Sequence, residues 1–103
     1  QGWISFVDDD NDVTVDAGET ILLVDPALSS GNTLRGNSNV ASYISYLGNG
    51  MTALTSGGFQ AGTLVLCDDR GFTSDARAII INAGGRPYVV EATAQNNVST
   101  CTP

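Results

Sequence analysis

Histidine and lysine are absent, and four arginines are the only basic side chains among 103 residues. Without histidine there is no Ser-His-Asp triad, no Cys-His pair and no imidazole-ligated metal. Without lysine there is no Schiff base and no phosphate-cradling P-loop. Two cysteines are too few for a zinc site when no histidine can complete it. Any catalysis would rest on carboxylates, so the expectation is a protein that is not an enzyme. Long apolar runs are missing as well. Ile21 to Val24 and Ala78 to Ile81 span four residues each, against the ~20 a membrane-crossing helix needs. The first residue is Gln, not Met, so the chain is expected to be a piece of a longer protein.

What is present suits a single β-rich domain over residues 1–103. Hydrophobic residues make up 42% of the chain, enough to bury a core. Twelve glycines punctuate it, and between them lie short runs of Val, Ile, Leu, Thr and aromatics. Strands are predicted at Trp3 to Val7, Thr20 to Val24, Val40 to Leu47, Met51 to Leu54, Thr63 to Cys67, Ala76 to Asn82 and Tyr88 to Ala92. Gly48-Asn49-Gly50 predicts a hairpin with a type I′ turn, and Ala83-Gly84-Gly85 predicts a second hairpin. Ser29 to Asn39 reads as a loop. Residues 26–42 could hold one short helical turn, since no window sustains a 3.6-residue period. The fold class is mainly β, with two small antiparallel sheets.

Charge is concentrated. Asp8, Asp9, Asp10, Asp12, Asp16 and Glu19 place six of the 11 acids in residues 8–19, leaving five acids against four arginines elsewhere. A broad basic patch for nucleic acid or anionic lipid is missing. With Asp8 as position 1 of a twelve-residue calcium loop, Asp10, Asp12, Thr14, Asp16 and Glu19 fall at positions 3, 5, 7, 9 and 12. Position 6 is Val13, where such loops use Gly, and a β-branched residue resists positive φ. Two readings follow. One is a calcium site held by Asp8, Asp10, Asp12, Asp16 and Glu19. The other, favoured by Val13, is a bare acidic hairpin loop with no cofactor.

Cys67 and Cys101 predict one disulfide and an oxidising compartment. Cys101 follows the polar stretch Gln95 to Thr100, a poor setting for a core thiol, and a bridge would fasten that tail. Arg70 and Asp75 bracket a polar connection with exposed ion pairs. Asn97-Val98-Ser99 is a formal glycosylation sequon, relevant only in a host that makes such glycans.

The order of these pieces resembles the FimT/GspH family of minor pilins and pseudopilins. Gly2-Trp3-Ile4-Ser5-Phe6-Val7-Asp8 precedes an Asp/Asn-rich loop, Asp16-Ala17-Gly18-Glu19 and Leu22-Leu23. Tyr43 to Gly50 follows, then Leu64-Val65-Leu66-Cys67-Asp68, Ala76 to Ile81, Gly85-Arg86 and a terminal Cys101. The resemblance implies a pilin-type globular domain whose N-terminal helix lies outside this chain and anchors it in the inner membrane of a Gram-negative bacterium. The domain would sit in the periplasm, in a pilus or pseudopilus, with other minor and major pilins as partners. Its role would be initiating or capping assembly of a type IV pilus, or the matching role in type II secretion. Some FimT proteins bind DNA through a Gly-Arg-x-Arg motif. Gly85-Arg86-Pro87-Tyr88 keeps the first arginine only, so Arg86 is the one DNA-contact candidate and DNA is not an expected partner.

Overall fold

The computed structural model describes residues 2–29, 31–95 and 98–103. Asn97 of the sequon lies outside them. The fold is mainly β, as expected, with two antiparallel sheets and two short 3₁₀ turns. The chain forms two compact units, Gln1–Ser30 and Gly31–Pro103.

The first unit is a hairpin. Strand β1 (Trp3–Phe6) pairs with β2 (Ile21–Asp25), and Ile4 lies opposite Val24. The register shifts between Ser5 and Phe6. The Val7 N–H donates to the Thr20 carbonyl at 2.8 Å and closes the base of the connecting loop. Every residue of β2 from Ile21 to Val24 is apolar, so both faces of this strand are water-averse.

The second unit carries a four-stranded meander of β3 (Thr33–Gly36), β4 (Gly62–Cys67), β5 (Arg77–Ile81) and β6 (Tyr88–Glu91), in that order. Alternation sorts the side chains. Val65 lies opposite Ala78, and Ala78 opposite Val90. On this face Val65, Cys67, Ala76, Ala78, Ala92 and Val98 form the core, with Phe72, Val90 and Cys101 packed against it. Three of those six are alanines, which remove little apolar area from water. The core is closed covalently instead. Cys67 on β4 is bonded to Cys101, with the two Cα atoms 6.1 Å apart, inside the usual span of about 4.4–6.8 Å.

Two parts of the sequence reading are corrected. Strand β3 occupies residues read as a loop. Leu34 is its one apolar side chain, and its order comes from pairing with β4, where Leu34 meets Leu66. Conversely, Val40 to Leu47 and Met51 to Leu54 are not strands. They meet only at an isolated bridge between Tyr46 and Thr52. Gln60, fully buried, takes the place of a neighbouring strand. Its Oε1 accepts the Ser45 N–H at 2.9 Å, and its Nε2 donates to the carbonyls of Asn39 (2.8 Å) and Tyr43 (2.9 Å). The expected helical turn is present at Ser38–Val40, its Val40 packed so close over Gly36 that a β-carbon there would collide with the Val40 backbone.

The turn at residues 48–50 is also not type I′. Gly50 takes a positive φ of 86° but Asn49 does not. The Gly50 N–H donates to Leu47 O at 2.9 Å, and Asn49 Oδ1 accepts the Met51 N–H at 3.0 Å. The predicted hairpin at 83–85 uses the same device. The Gly85 N–H donates to Asn82 O at 3.0 Å, and Gly85 has φ 78°.

Candidate functional site

The loop between β1 and β2 is organised by the carboxylates at its two ends. Asp8 accepts the N–H of Asp12 (3.2 Å) and of Val13 (2.8 Å). Glu19 accepts the N–H of Asp9 (2.8 Å) and of Asp16 (2.7 Å). Asp12 in turn accepts the Thr14 N–H at 2.9 Å. Asp8, Asp10, Asp12 and Glu19 each offer one oxygen, and the four oxygens lie within 4.8 Å of one another. Asp16 stands outside that set but beside Asp10.

The turn at position 6, which sequence reasoning expected Val13 to resist, is made. Val13 has φ 62° and Asn11 φ 56°. Asn tolerates this region, but a β-branched residue is strained there by about 1–3 kcal/mol. The two Asp8 contacts hold the strained segment in place.

Packing like charges together perturbs their titration. The hydrogen bond with Asp16 leads the causes that raise the Asp10 carboxyl to about 7, followed by desolvation, side-chain contacts with Asp12 and Asp8, and the Asp12 charge. For Asp16 the Asp10 contact lowers the pKa, but desolvation and the charges of Asp12 and Glu19 outweigh it, leaving it raised. Its Oδ2 is buried with no hydrogen-bond partner among the described residues. Desolvation raises Asp8, but the Val13 and Asp12 N–H groups outweigh it and hold it below the usual range. An all-oxygen set of clustered carboxylates suits a hard divalent cation such as calcium, not zinc or copper.

Arg70 pairs with Asp68 and, at 2.6 Å, with Asp75. That Arg70 contact holds Asp68 below the ordinary carboxylate range. The Arg77 guanidinium donates to the carbonyls of Ser74 and Ala76. Arg35 lies on β3, at the opposite edge of the sheet from β6. Arg86 is exposed on the β5–β6 connection, and its N–H donates to Asn82 Oδ1 at 3.3 Å. Sequence reasoning missed Gln60 entirely. Its neighbours Phe59 and Ala61 are both exposed and give no sign of a buried polar hub.

A mainly β fold with two small antiparallel sheets is consistent with a pilin-type globular domain. The family model for type II transport protein GspH matches residues 1–85. The chain belongs to this family, which fits a pseudopilin or minor-pilin role. The match covers the acidic loop and β1 to β5, and stops short of Arg86 and Cys101. Neither a curated protein nor a solved structure matches the chain.

Proposed function

We propose that this protein is a minor pilin of a type IV pilus, a structural subunit that initiates or caps assembly and contacts other minor and major pilins. The observation that carries the reading is the family match over residues 1–85. In this reading the domain lies in the periplasm, tethered to the inner membrane by an N-terminal helix, and does no catalysis. A second reading, minor pseudopilin of a type II secretion system, is favoured by the description of the matched family itself. Deleting the gene and restoring the full-length protein separates the two. Loss of surface pili with normal secretion is the expected result. Intact pili with exoproteins trapped in the periplasm would overturn it in favour of the pseudopilin.

The acidic loop enters this proposal as a calcium site that stiffens the subunit. Its support is the convergence of oxygens from Asp8, Asp10, Asp12 and Glu19. Calcium should raise the melting temperature of wild-type protein and leave Asp10→Asn unchanged. Equal melting curves in millimolar calcium and in chelator would leave the loop bare.

DNA uptake has less support. Each phosphate contact needs a cation, and Arg86 has no second arginine beside it at the hairpin. Duplex DNA at physiological salt is expected to bind no more tightly than ~10⁻⁴ M. Micromolar binding in a gel shift that disappears in Arg86→Ala would restore the DNA reading.

A further inference from the structure

We draw no further inference here: the strongest candidate, the apolar face that Leu34, Leu64, Leu66, Ile79 and Val89 present on the four-stranded sheet, carries none because nothing in the structure shows what covers it.

Discussion

Val13 is held where a valine does not choose to be. Replacing it with glycine removes the β-branched clash at φ 62°, while the added freedom of the unfolded chain takes back part of the gain. The net expectation for Val13→Gly is about 1 kcal/mol of stabilisation, read as a rise of about 4 °C or more in thermal melting. Gln60 is the opposite case. Gln60→Leu leaves the Ser45 N–H and the carbonyls of Asn39 and Tyr43 without the partners they now have. A buried orphaned polar group is unfavourable by about 1–3 kcal/mol, so this one change should lower stability by about 3 kcal/mol in urea unfolding. Asp10 sets a pH dependence. Its folded pKa, about 7, lies above its unfolded value, so the folded state keeps a proton that the unfolded state releases. That contribution is complete below about pH 4 and is lost as pH rises towards 7. In chelator, melting temperature should therefore fall between about pH 4 and 7, and Asp10→Asn should flatten the fall. The depressed Asp8 and Asp68 act in the other sense, their stabilisation being lost on acidification.

Among the elements, the β5–β6 connection is the least forgiving. A β-carbon on Gly85 would strike the Gly50 carbonyl, and its φ of 78° is itself unfavourable for any other residue. Gly85→Ala should cost more than about 2 kcal/mol, whereas Gly48→Ala, which has open space around it, should change stability little by the same melting assay. How far the elements were legible follows from what orders them. Strands β1, β2, β4, β5 and β6 announce themselves because their own side chains are apolar. Strand β3 does not, because Thr-Leu-Arg-Gly is ordered by its neighbour. The stretch from Val40 to Leu54 looked like two strands because Val, Ile, Tyr and Leu favour pleated surfaces. One glutamine side chain, Gln60, takes up backbone groups of Asn39, Tyr43 and Ser45 that a strand would have paired. The convergence of Asp8, Asp10, Asp12 and Glu19 was legible from their spacing. The contact between Asp10 and Asp16 was not, since it depends on how closely the backbone brings them together.

For the molecule as a whole, the disulfide offsets an alanine-rich core. Closing a separation of 34 residues is worth about 4 kcal/mol in the loop-entropy model, a large share of a typical 5–15 kcal/mol. Cys101→Ser should unfold at clearly lower denaturant, and thiol labelling of the denatured, unreduced wild type should find no free cysteine. The bridge also fixes when folding can finish. Val98 and Cys101 complete a cluster begun by Val65 and Cys67. A chain delivered from its N-terminus onwards has β4 to β6 available before Val98 and Cys101 can join them. During that interval the sheet's inner face is bare, and Cys67 is a lone thiol open to any passing oxidant or wrong partner.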